Sequence, residues 1–324
     1  MLMIQTGKRG IMRRLLWILS LVVLTFGCSE KNILQLNWDR IETGTEEDIR
    51  GVHFKNSDKG WLATASGTIF RTEDGGKTWQ SKKVGNFVLE DVFFIDDENG
   101  FAVGDNGALF RTTDKGESWN DNSYDPEYHF YAVGFFDDEY GVVAGIKKTD
   151  DLPDAGVILT SSDGGATWQE YYNDMTGISN LFIKAPMFGW TTCIGSVGST
   201  TDKGENWEKN LLDPSDIIRG AYFHNGQSGW IVGNNGLLAG TTDGGWSWQK
   251  KGQLTDHNLL DITFMNALDG LIVGEKGKIF LSTNSGINWA VDSNFTKVTL
   301  HDVETVDDHV FIAGDKGTLI HVHN

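Results

Sequence analysis

One eight-residue pattern recurs six times and fixes what this chain can become. It reads TEDGGKTW (72–79), TTDKGESW (112–119), SSDGGATW (161–168), TTDKGENW (200–207), TTDGGWSW (241–248) and STNSGINW (282–289). The steps from Trp to Trp are 40, 49, 39, 41 and 41 residues, so the chain is an array of one structural unit. The polar position of each box (Asp74, Asp114, Asp163, Asp202, Asp243, Asn284) can accept hydrogen bonds from the amides of its own turn. The following Gly supplies a positive φ without a Cβ clash. Trp79, Trp119, Trp168, Trp207, Trp248 and Trp289 each begin a returning strand and can bury roughly 200 Å² against a neighbouring unit. The repeated acids therefore read as structural, not catalytic.

Aligned on the boxes, every unit opens with an apolar strand: GVHF (51–54), DVFF (91–94), AVGF (132–135), NLFI (180–183), GAYF (220–223), DITF (261–264) and DVET (302–305). A second strand follows, then a tight turn such as GDNG, GNNG, GEKG or GDKG, a hairpin signal. The third strand enters the box and the Trp starts the fourth. Seven units of four antiparallel strands make an all-β, seven-bladed β-propeller spanning residues 33–324. The 40 Gly, 12 Trp and 18 Phe, with only 4 Pro, suit many short strands and tight turns. Residues 33–38 (ILQLNW) carry Trp38, 41 residues before Trp79, but no box precedes it. At the other end DKGTLIHVHN (315–324) stops before a seventh box. The N-terminal strand is thus expected to supply the outer strand of the last blade and close the ring, leaving no open sheet edge.

Ahead of the array, KRGIMRR and an apolar run from Leu15 to Phe26 form a targeting segment too short to span a bilayer. Residues 1–27 read as a lipoprotein signal peptide, with Met12 as an alternative start and an uncleaved anchor as the competing reading. Gly27 directly before Cys28 resembles a bacterial lipobox, which makes Cys28 the lipidated first residue and 28–32 a tether. The expected location is the bacterial cell envelope, membrane-anchored and facing the periplasm or the cell surface. The net charge is −18, and −22 without residues 1–27. That argues against nucleic acid and against anionic lipid surfaces. It fits a cationic partner, divalent cations or simple solubility. Cys193 reads as a buried free thiol. No spacing suggests a metal site, and no cofactor is expected.

Strand order places the starts of the inner strands around one mouth of the central channel. One register holds Gly51, Asp91, Ala132, Asn180, Gly220, Asp261 and Asp302. Its three acids can bind a cation or a Lys/Arg side chain, or merely cap a water-filled channel. Tyr124, Tyr128 and Tyr131, in the segment YDPEYHFY (124–131), are expected in a loop on that side, where exposed rings suit a glycan or peptide and buried ones merely pack. Blade three carries ten residues between Gly145 and Gly156 where most other blades have two. Lys147, Lys148, Asp150, Asp151 and Asp154 lie in this insertion, the one large departure from the repeat. Arg50 and Arg219 occupy equivalent starts of inner strands in blades one and five. His129 and His301 stand alone in sequence.

The boxes and blade pattern resemble the Asp-box (BNR) repeat propellers across residues 33–324. The run from Gly229-Trp230-Ile231-Val232-Gly233 through Trp248 looks most like the photosystem II assembly and stability factor group. That resemblance implies a non-enzymatic scaffold that holds a membrane-protein subunit during assembly, with lipoprotein relatives in bacteria that do not photosynthesise. Those photosynthetic members are associated with an arginine-rich patch, and the chain after Cys28 has five Arg: Arg40, Arg50, Arg71, Arg111 and Arg219. Sialidases share the boxes and use an arginine triad, a Tyr–Glu pair and an acid. Here Arg50 and Arg219, with Tyr222 nearby, are two of three arginines at most. The expectation is a monomeric, non-catalytic binding scaffold for an envelope protein or a glycan, acting through the face of the 145–156 insertion. The alternative is a sialidase-like glycoside hydrolase or carbohydrate-binding propeller.

Overall fold

The computed structural model describes residues 36–149, 154–292 and 295–323, all within one unit, Leu34–Asn324. Among them are seven four-stranded antiparallel sheets arranged as blades. In blade one the strands are Ile49–Phe54, Gly60–Thr64, Thr68–Thr72 and Gln80–Lys83, from the inner edge outward. Burial follows position in the blade. Gly60–Thr64 is buried throughout, whereas Gln80–Lys83 is exposed throughout, so the polar residues sit on the strand that faces water.

The six boxes are built alike. In the first, the Asp74 Oδ1 atom accepts from the Thr72 hydroxyl at 2.8 Å and from the Thr78 N–H at 2.9 Å, and Oδ2 accepts from the Thr78 hydroxyl at 2.6 Å. The Thr72 hydroxyl in turn accepts from the Gly76 N–H at 2.9 Å. Gly76 has φ 82°, and a Cβ there would lie 2.7 Å from Ile41 Cγ2, so the turn needs Gly on both counts. The hydrogen bonds from Thr78 hold the Asp74 carboxyl at about 2. Asn284 accepts the same backbone bond, from Asn288 at 2.9 Å, without a charge.

Several blades meet through stacked aromatics. Trp61 of blade one lies flat on Phe94 of blade two, centroids 3.6 Å apart, and Trp119 meets Phe94 edge-on at 5.9 Å. The arrangement returns with Trp190, Phe223 and Trp248, and with Phe311, Phe54 and Trp79 between blades seven and one. Face stacking plus an edge contact suits the ring quadrupoles. Cys193 is fully buried, and burial pushes its thiol up to about 11, so it is inert packing.

The closing strand is Asn37–Glu42, paired antiparallel to Thr318–His323 with Trp38 opposite Val322 and Glu42 opposite Thr318. Ring closure by the N-terminus is therefore present, but its strand lies further along the chain than 33–38. The run DRIE, exposed except for half-buried Ile41, continues the pairing because an outer strand needs backbone bonds more than apolar side chains. The signal peptide, Cys28 and the tether lie outside the described residues.

Two local expectations are corrected. Tyr128–Phe135 is strand, not loop, leaving only 124–127 as connection. In the insertion, Gly141–Lys147 and Ala155–Ser161 extend as a paired hairpin, with Ile146 opposite Gly156 and Lys147 opposite Ala155. Ile146, Lys147 and Ala155 of the insertion thus lengthen blade three as paired strand, and 150–153 lie outside the described residues.

Candidate functional site

Six inner strands share one irregularity near their starts. The pairing register shifts between Ile49 and Gly51, Leu89 and Asp91, Phe130 and Ala132, Ile218 and Gly220, Leu259 and Asp261, and Leu300 and Asp302. A bulge re-aims the extra side chain, and here it aims Arg50, Glu90, Tyr131, Arg219, Leu260 and His301 into one central cavity of about 680 Å³. The mouth of the channel is thus dressed by bulge residues, one per blade, with Ser179 in the place of blade four.

The basic members of this ring are each held by a partner. His301 donates from Nε2 to Asp315 Oδ1 at 2.6 Å, which leaves Nδ1 to accept from Arg50 Nη1 at 3.4 Å. Burial keeps His301 below its ordinary range despite Asp315. Arg219 Nε donates to Asn234 Oδ1 at 3.0 Å. Burial raises the Tyr131 phenol, with Glu90 and Asp105 adding to the rise and Arg219 opposing it. Burial also raises Glu90, against the pull of Arg50.

One residue deeper lies the acidic register. Asp91 accepts from its own Val92 N–H at 2.7 Å and from Val133 of the next blade at 2.9 Å. Asp261 accepts from Val303 at 3.1 Å and Asp302 from Val52 at 2.7 Å. Each carboxylate therefore staples its blade to the following one, and Asp302 does so across the ring closure. Glu304 repeats the contact there, accepting from the Phe54 N–H at 2.6 Å and lying 2.9 Å from His53 Nδ1. Gly51 and Gly220 are needed beside them, since a Cβ at either would sit 2.8 Å from the Cα of Asp91 or Asp261. Burial, then the charge of Asp302, pushes Asp91 up to about 7. Burial raises Asp261 and Asp302 as well, and Asp261 is raised further by the charge of Asp302.

The structure thus brings Arg50, Asp91, Tyr131, Arg219, Asp261 and Asp302 into one cavity. Tyr124, Tyr128, Lys147, Lys148 and Asp154 are not among the residues that line it. Tyr124 and Tyr128 pack on buried Phe130. Tyr128 donates to Glu170 at 3.0 Å, and Lys147 Nζ lies 5.0 Å from the Tyr128 ring centre. The Lys148 N–H donates to Glu127 O at 2.9 Å, and Asp154 accepts from Thr149 at 3.2 Å. Asp150 and Asp151 lie outside the described residues. Glu90 and His301 were not expected at the mouth as site residues. Their signal was available: each directly precedes the aligned Asp91 or Asp302, as Arg50 precedes Gly51.

A family model described as "Photosynthesis system II assembly factor YCF48" matches residues 30–87 and 85–221, more than half of the chain. The photosystem II assembly lipoprotein Ycf48 of Picosynechococcus sp. (strain ATCC 27264 / PCC 7002 / PR-6) is 31% identical over 68 residues, which is 20% of this chain and 20% of that protein. Among solved structures, YCF48 bound to D1 peptide superposes with a TM-score of 0.74 at 21% identity, covering 89% of this chain and 97% of that one. Inactive virginiamycin B lyase from Staphylococcus aureus gives 0.74 at 13% identity, covering 90% and 100%; these likenesses carry the fold. With the six boxes in register and the family match over more than half its length, this chain belongs to the photosystem II assembly factor YCF48 family.

Proposed function

We propose that the protein is a non-catalytic, lipid-anchored envelope scaffold that holds a peptide segment of a protein partner at the bulged mouth of the channel. The observation that carries this reading is the mouth itself. Arg50, Glu90, Tyr131, Arg219 and His301 present both charges and an aromatic ring at one level, and the lengthened hairpin of blade three stands on the same side. Such a mixed rim suits a peptide. The carboxylates beneath are engaged by backbone N–H groups, which suits a structural part better than acid–base work. The YCF48 bound to D1 peptide supports a peptide ligand by family likeness. In a capture experiment from detergent-solubilised envelope, Arg50→Ala/Arg219→Ala is expected to lose partner protein that the wild type retains. Equal capture sinks the mouth as the site. Replacing 148–154 by Asn-Gly, which spares the paired residues Ile146, Lys147 and Ala155, tests the contribution of the hairpin tip in the same assay. Labelling with a palmitate analogue tests the anchor: loss of label in Cys28→Ser supports it, and equal label refutes it.

The second reading, a sialidase-like hydrolase, is favoured by one finding, that Arg50 and Arg219 share a cavity with carboxylates, among them Glu90, Asp91, Asp261 and Asp302. Two blades lie between the arginines on the shorter way round, and each is tied to its own wall, so they are not a pre-formed carboxylate clamp. Hydrolysis of a fluorogenic sialoside by the pure protein would establish this reading in place of the scaffold.

A further inference from the structure

The outer face of blade seven gathers chemistry that the channel does not use. His309 opens the strand His309–Gly314, and His321 and His323 lie two apart on Thr318–His323. Alternation along a strand puts His321 and His323 on one face. Their cross-strand partners complete the patch: His309 is opposite His323, and Asp39 of the closing strand is opposite His321. His309 Nδ1 lies 2.7 Å from His321 Nε2, and His323 Nε2 lies 2.9 Å from Asp39 Oδ2. The ligand atoms of Asp39, His321 and His323 all fall within 4.8 Å of one another. Phe311 stacks flat under His321, centroids 4.7 Å apart, and forms an apolar floor.

We infer that Asp39, His321 and His323, with His309 beside them, form a site for a divalent transition metal such as Zn²⁺ that clamps the ring closed. Two imidazoles and a carboxylate are a zinc ligand set, and three protein ligands leave a position for water or for His309. Imidazole nitrogen selects zinc, nickel or copper over magnesium and calcium, which prefer all-oxygen sites. Bonds of about 2.0–2.2 Å to one ion require ligand atoms roughly 3.3–3.6 Å apart, within reach of small side-chain rotations from the spacing present. The placement gives the metal a mechanical consequence. Asp39 lies near the start of the propeller and His321 and His323 at its end, so one ion joins the two strands whose pairing closes the ring. An ion that binds this closed form stabilises it by mass action.

The test uses the whole mature chain without a histidine tag, stripped with chelator and titrated with ZnCl₂ by calorimetry and by thermal melting. One Zn²⁺ per chain and a Tm rise of about 5 °C at a hundredfold excess over Kd are expected, with no response to MgCl₂. His321→Ala and His323→Ala should each weaken binding at least tenfold, while His257→Ala, at a half-buried bend elsewhere, should not. Asp39→Asn preserves shape and isolates the clamp, and it should abolish most of the Tm rise. Absence of Zn²⁺ binding, or binding unchanged in both histidine variants, overturns the site. A full Tm rise in Asp39→Asn overturns the bridge between the chain ends.

Discussion

At the scale of single residues, two populations of carboxylate in this molecule titrate in opposite directions. In the boxes, hydrogen bonds stabilise the anion; in the channel, burial disfavours it. Asp202 shows the first case. Burial pushes its carboxyl up, but the bonds from Asn206 and Thr200 outweigh it and the net position is lowered. Its stabilisation is present above the unfolded carboxylate range and is lost as pH falls through the folded value. Asp202→Ala removes bonds of 2.9 Å from the Asn206 N–H, 2.8 Å from its side chain and 2.7 Å from Thr200. A loss of about 1–3 kcal/mol is expected in urea denaturation at pH 7. Asp91 shows the second case. Its folded value of about 7 lies above the unfolded 3.8, so the folded state binds the extra proton and stability falls as pH rises between those values. The Tm of the wild type relative to Asp91→Asn should therefore grow as pH is lowered from 8 to 5, and a constant difference would refute the assignment. The box acids were legible as structural from their spacing alone. The staple role of Asp91, Asp261 and Asp302 was not, because their N–H partners sit about forty residues away, or at the other end of the chain for Asp302.

At the scale of elements, the closing strand and the blade-three hairpin show how a repeat is read and misread. Trp38 was in phase with the array, which located the closing segment. Its extent to Glu42 was hidden because Asp39, Arg40 and Glu42 have none of the apolar signal of a strand. An outer strand is held by its ladder to Thr318–His323, and Leu36, Trp38 and Ile41 are the side chains of this segment that pack on apolar residues of that blade. Deleting 29–42 should lower the Tm by more than about 5 °C by exposing the edge of Thr318–His323, whereas deleting 29–35 should leave it unchanged. Equal melting of the two truncations would show that the ring does not depend on this strand. In the hairpin, Ile146 and Lys147 pair with Gly156 and Ala155, and the bulged inner strand begins early at Tyr128 to match them. A loop count from sequence could not separate taller strands from a longer loop.

At the scale of the whole molecule, the propeller is a ring in which one kind of stacked interface recurs, at the seam as elsewhere. Phe311 on Phe54, with Trp79 at the edge, reproduces Trp190 on Phe223 with Trp248 at the edge. A closed ring predicts that its seam costs as much to damage as any other interface. Phe54→Ala and Phe223→Ala should each destabilise by about 3–5 kcal/mol, measured by chemical denaturation. A seam variant that costs much less than its counterpart would mean that blades seven and one are not sealed as the others are.

The sequence by itself determined the architecture, because the box, its Trp and the alternating strands are local patterns with local physical causes, repeated until only a closed array satisfies them. It also placed Arg50 and Arg219 at one level, because equal positions in a repeat become equal positions in a ring. The tertiary structure alone decided what those positions face. Bulges turned Glu90, Tyr131 and His301 into the channel beside them, and curvature brought Asp302 to Val52 and Asp39 to His321 and His323. Such contacts join residues whose separation in the chain carries no periodic signal, so only the closing of the ring could create them.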